Sequence, residues 1–208
     1  MHQLEQILVK HWGYSHFRPQ QREIIESVLT GNDTLGLLPT GGGKSITFQV
    51  ASLAREGLCI VVTPLIALMK DQVDNLKERN IKAVALYSGM SYEEIMDSFN
   101  KCQWGDYKFL YVSPERLRTE LFQTMVLRLK VNLIAVDEAH CISRWGYDFR
   151  PSYLEIAKLR ELLPNITVLA LTATATPPVA QDIMDKLNFR SKNIFATSFE
   201  RKNLTYVV

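Results

Sequence analysis

The chain has 208 residues, 47% of them hydrophobic and 22% charged, a balance that excludes a disordered segment and lets a core form without disulfide or metal staples. Its 24 Lys and Arg against 22 Asp and Glu leave a net charge of +2, which excludes a domain that coats nucleic acid through bulk charge; any such contact must come from local placement. No apolar run approaches the ~18 residues of a membrane span, and the start Met1-His2-Gln3-Leu4-Glu5 lacks a signal-peptide core. Cys59, Cys102 and Cys141 form no CxxC pair. A reduced cytoplasmic location is expected, at the nucleoid in a bacterium, with no membrane partner.

Two helices, about Leu4–Trp12 and Pro19–Leu29, are expected first. A β-branched or apolar run followed by a helical pattern then recurs along the chain. Thr34–Leu38 reads as a strand and Lys44–Glu56 as a helix stopped by Gly57. Leu58–Thr63 and the helix Leu65–Arg79 follow, then the strand Ile81–Tyr87. The next helix begins near Ser91, where Glu94 three positions on suits a capping box. Tyr107–Val112, Val131–Val136 and Ile166–Thr172 are further strands, with helices around Glu115–Lys130, Ser152–Leu163 and Pro177–Leu187. Continuous rather than alternating apolar strands fit a sheet covered on both faces, and strand–helix alternation predicts an α/β fold with a doubly wound, mostly parallel sheet. Leu204–Val208 reads as the start of another strand, so a domain over 1–197 is expected to end at a linker near 197–203, the chain being a fragment cut at a domain boundary.

The segment Pro39-Thr40-Gly41-Gly42-Gly43-Lys44-Ser45 lies between a strand and a helix. Successive glycines let backbone N–H groups turn inward where a Cβ would clash, and the helix behind offers unpaired donors and a positive dipole end. Such a loop cradles phosphates: Lys44 would reach the β- and γ-phosphates and the Ser45 hydroxyl would ligate Mg²⁺. The strict GxxxxGK[ST] spacing asks for Gly at position 38, where this chain has Leu38. The glycine spacing disfavours a dinucleotide site. Asp137-Glu138-Ala139-His140 follows the strand Val131–Val136, at the end where open α/β sheets place ligands. Asp137 would hold Mg²⁺, Glu138 would position and deprotonate the attacking water, and His140 would link the site to neighbouring loops. A metal site built from Asp137, His140 and Cys141 is the bland alternative, unsupported by HExxH or paired cysteines.

Thr40–Ser45, Asp137–His140 and Leu171-Thr172-Ala173-Thr174-Ala175 occur in the order seen in superfamily 2 helicases. The surrounding stretches resemble the RecQ family of ATP-dependent DNA helicases over nearly the whole chain: Phe17–Gln21, Thr63–Val73, Ser113–Leu117 and Cys141–Pro151. The resemblance implies the first RecA-like domain, with a P-loop NTPase fold, of an enzyme that couples ATP hydrolysis with Mg²⁺ to 3′-to-5′ movement on single-stranded DNA and duplex unwinding in recombination and repair. A second RecA-like domain would be its partner. By position, the first 30 residues would read adenine, with Tyr14 stacking on the base, Gln21 bonding its edge and Arg18 flanking it; packing of Tyr14, Phe17 and Pro19 between the first helices stands beside this. Trp145, Tyr147, Phe149 and Arg150 would form an aromatic loop that senses single-stranded DNA, although Phe149 also suits a buried loop core. Tyr147 stands where the family usually has His, a departure that bears on how DNA binding is relayed to the γ-phosphate. The Thr63–Val73 and Ser113–Leu117 junctions would bind DNA phosphates. Thr172 and Thr174 would couple nucleotide state to the partner domain, or cap the helix at Pro177. A nucleic-acid-stimulated ATPase that remodels RNA or protein–DNA complexes without unwinding is the alternative function.

Overall fold

The computed structural model describes residues 3–196. These form, in chain order, α1 (Gln3–Trp12), α2 (Gln21–Leu29), β1 (Thr34–Leu37), α3 (Lys44–Leu53), β2 (Leu58–Val62), α4 (Ile66–Glu78), β3 (Ala83–Leu86), α5 (Tyr92–Trp104), β4 (Phe109–Val112), α6 (Glu120–Val126), β5 (Val131–Val136), α7 (Glu155–Leu162), β6 (Val168–Thr172), α8 (Pro177–Lys186) and β7 (Asn193–Ala196). Among them a seven-stranded sheet runs in the order β3-β4-β2-β5-β6-β1-β7. Every described pairing is parallel, so the expected mostly parallel sheet is parallel throughout.

The strands are apolar without alternation because both faces are covered. Adjacent residues divide between the two sides. Cys59 and Val61 pack beneath α1–α4 with Leu133 and Ala135, whereas Ile60 and Val62 pack beneath α5–α8 with Ile134 and Val136. A fully buried side chain of this size contributes about 1.5–3 kcal/mol, so the central strands carry much of the stability. The capping box at the start of α5 forms as expected: Glu94 N–H donates to Ser91 Oγ at 3.2 Å, and Ser91 N–H donates to Glu94 Oε2 at 2.7 Å.

Two expectations are corrected. The helix expected over Glu115–Lys130 breaks into a 3-10 turn, Pro114–Arg118, and α6. Thr119 is extended between them (φ −77, ψ 136) and its hydroxyl caps α6 by accepting from Phe122 N–H at 3.4 Å. The helix expected from Ser152 opens as a 3-10 turn, Pro151–Leu154, before α7. Strand β7 had no forecast; it adds beside β1 with Leu35 opposite Ile194. The strand expected at 204–208 and the linker near 197–203 lie outside the described residues. Among the described residues no helix is long and apolar enough to cross a membrane, and Cys59, Cys102 and Cys141 are all free thiols.

At the amino edge of the sheet the fully buried Asp33, just before β1, gathers three elements. It accepts from Arg160 Nη2 at 2.8 Å on α7, from Val168 N–H at 2.9 Å on β6 and from Arg190 N–H at 2.8 Å before β7. Removing the carboxylate strands Arg160, which is itself buried, as an uncompensated charge. Asp33→Ala is therefore expected to cost about 3–5 kcal/mol in denaturant-induced unfolding, and a loss below about 1 kcal/mol would show that the clamp is idle.

Candidate active site

The loop after β1 and the loop after β5 meet at the carboxyl edge of the sheet because β6 lies between those two strands and pairs with both. In the first loop Gly41 and Gly43 both have φ +76, the left-handed region that glycine enters without steric cost. A Cβ on Gly43 would lie 2.4 Å from Gln21 Nε2, and one on Gly42 would lie 2.8 Å from the Pro39 carbonyl. Gly43 is the residue before α3, so Lys44 and Ser45 open the helix and its first N–H groups face the loop.

Lys44 crosses to the acidic loop, its Nζ 4.0 Å from Glu138 Oε1. Glu138 has φ +46, a left-handed conformation rare outside glycine and costing about 1 kcal/mol or more. This twist lifts its carboxylate away from the buried Asp137 toward Lys44 and His140. Asp137 Oδ1 accepts from Glu138 N–H at 3.0 Å, and its carbonyl accepts from Tyr153 Oη at 2.9 Å. Burial first, then the charge of Glu138, push the Asp137 carboxyl up to about 6. Burial also lowers the pKa of His140, against the pull of Glu138. His140 Nδ1 lies 2.9 Å from Thr172 Oγ1 and 3.3 Å from Glu138 Oε2. The Thr172 hydroxyl donates to the Thr174 carbonyl at 3.2 Å, so Nδ1 carries the proton and donates toward both oxygens. His140 thus joins the acidic loop to the loop after β6.

The segment before β1 folds against the phosphate loop. Gln21 is buried, accepts from Arg18 N–H at 2.8 Å and donates Nε2 to the carbonyls of Gly42 at 3.2 Å and Gly43 at 3.0 Å. Arg18 donates to the Gly41 carbonyl. The Gln21 amide is therefore engaged by the loop rather than turned outward. Beside it opens a cleft of about 270 Å³ lined by Gly13, Tyr14, Arg18, Gln21 and Ile46, with Tyr14 half exposed at its wall. Thr40 is exposed at the mouth of the loop.

In the loop after Cys141, Trp145 and Tyr147 are each 78% exposed; such rings on a surface are available for stacking. The Tyr147 ring stacks on His140, centroids 4.7 Å apart and planes at 18°. Phe149 is partly buried beneath Arg144, whose guanidinium lies 5.6 Å from the ring centroid. Arg150 pairs with Asp148 at 3.0 Å and donates to the Pro64 carbonyl at 3.4 Å, tying the loop to the start of α4. Trp145, Tyr147, Thr174 and Val179 line a cavity of about 370 Å³ with His140 as part of its wall. Two expected phosphate contacts look different. Thr63 and Ser113 are buried with their hydroxyls turned inward, and Arg116 donates to the carbonyls of Tyr87 and Met90, so Lys70 and Arg118 remain the exposed cations of those segments. Tyr153, whose hydroxyl reaches the Asp137 carbonyl from the 3-10 turn before α7, carries no signal in the sequence that would mark it as part of the site.

The family model of DEAD/DEAH box helicases matches residues 18–183, and the chain belongs to that family. It is 46% identical, over 100% of its own length, to the ATP-dependent DNA helicase RecQ of Bacillus subtilis (strain 168), of which it covers 36%. It is 44% identical over 95% of its length to the protein of the same name from Pasteurella multocida (strain Pm70), covering 31% of that chain. The chain thus spans about a third of the length of these relatives. The helicase domain of Pyrococcus furiosus Hef aligns with a TM-score of 0.68 at 22% identity, over 96% of this chain and 40% of that one, a likeness of fold.

The raised Asp137 pKa has a defined sign. Above pH 6 the ionised carboxylate is costlier in the fold than in the unfolded chain, and that cost is relieved as pH falls from about 6 toward the ordinary value near 4. Asp137→Asn should therefore unfold at higher denaturant than the native protein at pH 7.5, by on the order of 2–3 kcal/mol. The gap should shrink by more than half at pH 4.5; a gap that does not depend on pH would refute the buried charge.

Proposed function

We propose that this domain is the ATP-binding lobe of a RecQ-type DNA helicase, which couples ATP hydrolysis to 3′-to-5′ movement along single-stranded DNA and to duplex unwinding, in concert with a second RecA-like domain. The observation that carries the reading is the convergence of Lys44 and Glu138, 4.0 Å apart, on two loops whose strands flank β6. The identity to RecQ helicases along the whole chain supports the substrate class, and the approximately one-third coverage of those relatives leaves room for the partner lobe.

On this reading the N–H groups of Gly41–Ser45 and the Lys44 ammonium receive the phosphates. The oxygen donors Ser45 and Asp137 suit a hard divalent ion, and the Glu138 N–H bond leaves the second Asp137 oxygen for it. Mg²⁺ held there would neutralise charge on the phosphates. Glu138 orients and deprotonates the attacking water, while Lys44 holds its carboxylate in position until phosphate competes for the ammonium. Tyr14 supplies a face for the adenine ring, and Arg18 and Gln21 tie that segment to the loop, so base occupancy and loop shape are coupled through the Gln21 bonds to Gly42 and Gly43.

Trp145 and Tyr147 stack on unpaired bases, and Phe149 and Arg150 brace the loop from within. The stack of Tyr147 on His140 carries that contact to Glu138 and to the buried Thr172, with Thr174 beyond it toward the second lobe. The reading places the enzyme with the chromosome, in the cytoplasm of a bacterium.

Two measurements test this on the intact protein. Lys44→Ala should abolish nucleotide binding without unfolding the domain, and Glu138→Gln should retain binding while lowering kcat by roughly 10²–10⁴; unaltered hydrolysis in Glu138→Gln would remove the assignment. Trp145→Ala should keep basal ATPase and lose stimulation by single-stranded DNA, with binding weakened by about 1–3 kcal/mol per lost stack. Equal stimulation by RNA and DNA, without unwinding, would favour a remodelling ATPase.

A further inference from the structure

Just past the acidic pair the chain doubles back and brings three kinds of metal ligand together. His140 and Cys141 lie on the 3-10 turn Ala139–Ile142. Asp148 of the aromatic loop returns to the same spot, where Arg150 N–H donates to the Cys141 carbonyl at 2.8 Å. Cys141 Sγ lies 3.7 Å from His140 Nε2 and 3.7 Å from Asp148 Oδ2, and one ligand atom from each residue falls within 4.8 Å of the other two. A tetrahedral ion with bonds of about 2.0–2.3 Å sets its nitrogen, sulfur and oxygen ligands about 3.3–3.8 Å apart. The thiol therefore already stands at the right distance from both partners. His140 Nδ1 carries the proton and donates toward Thr172 and Glu138, which leaves the Nε2 lone pair beside the thiol. Arg150 Nη2 donates to Asp148 Oδ2 at 3.0 Å and holds that carboxylate near Cys141. A carboxylate on the far nitrogen of an imidazole, and a donor on a ligating carboxylate, are the outer partners that metal ligands use.

We propose that His140, Cys141 and Asp148 form a second cation site, for zinc or a similar borderline-soft ion, that clamps the aromatic loop to the acidic loop and suppresses DNA-stimulated turnover. Thiolate and imidazole favour such an ion over Mg²⁺, so the trio does not compete for the hard ion assigned to the oxygens of Ser45 and Asp137. On binding, the Cys141 thiol loses its proton to solvent; the sulfur, His140 Nε2 and an Asp148 oxygen become ligands, and water completes the tetrahedron. The thiolate and the carboxylate together balance the charge of the ion. The cavity bounded by Trp145, Tyr147 and His140 gives a way in. Once clamped, the loop keeps Tyr147 stacked on His140 and cannot turn that ring toward a base. The site stands on the geometry of the trio; only the effect on turnover rests on reading this loop as the DNA sensor.

The intact protein is titrated with Co²⁺ in excess Mg²⁺, and the sulfur-to-cobalt absorption is read as the difference from Cys141→Ser, which cancels any other thiolate site. The native protein should show the added absorption, and Zn²⁺ should displace it. Asp148→Asn should weaken Zn²⁺ at this site by at least the roughly tenfold that loss of an outer partner costs. Equal absorption in the native protein and Cys141→Ser, or native Zn²⁺ affinity in Asp148→Asn, overturns the site. Saturating Zn²⁺ should remove most of the ATPase stimulation by single-stranded DNA in the native protein, and the ratio with and without Zn²⁺ should stay near one in Cys141→Ser. Cobalt absorption at Cys141 with stimulation untouched by Zn²⁺ would refute the clamp while leaving the site. A zinc-free protein that single-stranded DNA does not stimulate would instead refute the sensor reading. Should Cys141→Ser not fold, the affinity of Asp148→Asn, changed at a half-exposed side chain, decides alone.

Discussion

The placement of β6 between β5 and β1 is the constraint on which the site depends. Parallel neighbours stand about 4.8 Å apart, so the ends of β1 and β5, each paired with β6, are held roughly 10 Å from one another. That is a distance a lysine side chain nearly spans, and Lys44 does reach within 4.0 Å of Glu138. With two strands between β1 and β5 instead of one, Lys44 would fall short of Glu138. The wedge strand also delivers Thr172 between them, so that its hydroxyl meets His140 at 2.9 Å. Three loops from distant parts of the chain become one edge through the order of the strands.

That edge is costly in its own terms. Asp137 is buried with a carboxyl held near 6, Glu138 sits in left-handed backbone, and so do Gly41 and Gly43, where a Cβ on Gly43 would collide with Gln21. Strained or desolvated groups persist only where their surroundings over-determine them. Here the surroundings are two hydrophobic layers and, at the opposite edge, the Asp33 clamp. Asp33 pins the start of β1 to β6 and to the entry of β7, so the same strand is fixed at one end and carries the glycine loop at the other. Stability and chemistry are thus separated along the strand axis.

Most of this organisation is legible in the sequence because it follows from periodicity and from short motifs. Six of the described strands announce themselves as short, largely apolar runs, and Ser91 with Glu94 announces a helix start. The glycine loop and the acidic pair carry their chemistry in adjacent residues. What is not legible depends on pairings distant in sequence. The four residues of β7, Asn193–Ala196, alternate between half-buried and exposed positions and gain their strand character from β1 rather than from their own pattern. Thr119 could continue a helix, but it turns extended because its hydroxyl serves α6 as a cap. Gln21 illustrates the same limit inside the site: its type suits a base edge, yet its amide bonds glycine carbonyls 21 and 22 positions away. Gln72 lies within a motif, but its partner Tyr111 is contributed by β4.

The aromatic loop shows how such distant pairings give a surface segment leverage over a buried one. Its outermost ring, Trp145, is exposed, whereas Tyr147 has one face on His140 and the other toward solvent. Offset aromatic stacks contribute about 0.5–1.5 kcal/mol, enough to bias the imidazole. His140 is neutral at pH 7 through burial, so moving Tyr147 alters its orientation and solvent access without introducing charge. The imidazole in turn donates toward Glu138 and Thr172, while Arg150 pulls on Pro64 and the start of α4. A displacement of the loop would therefore reach the acidic loop through the contacts of His140 with Glu138 and Thr172.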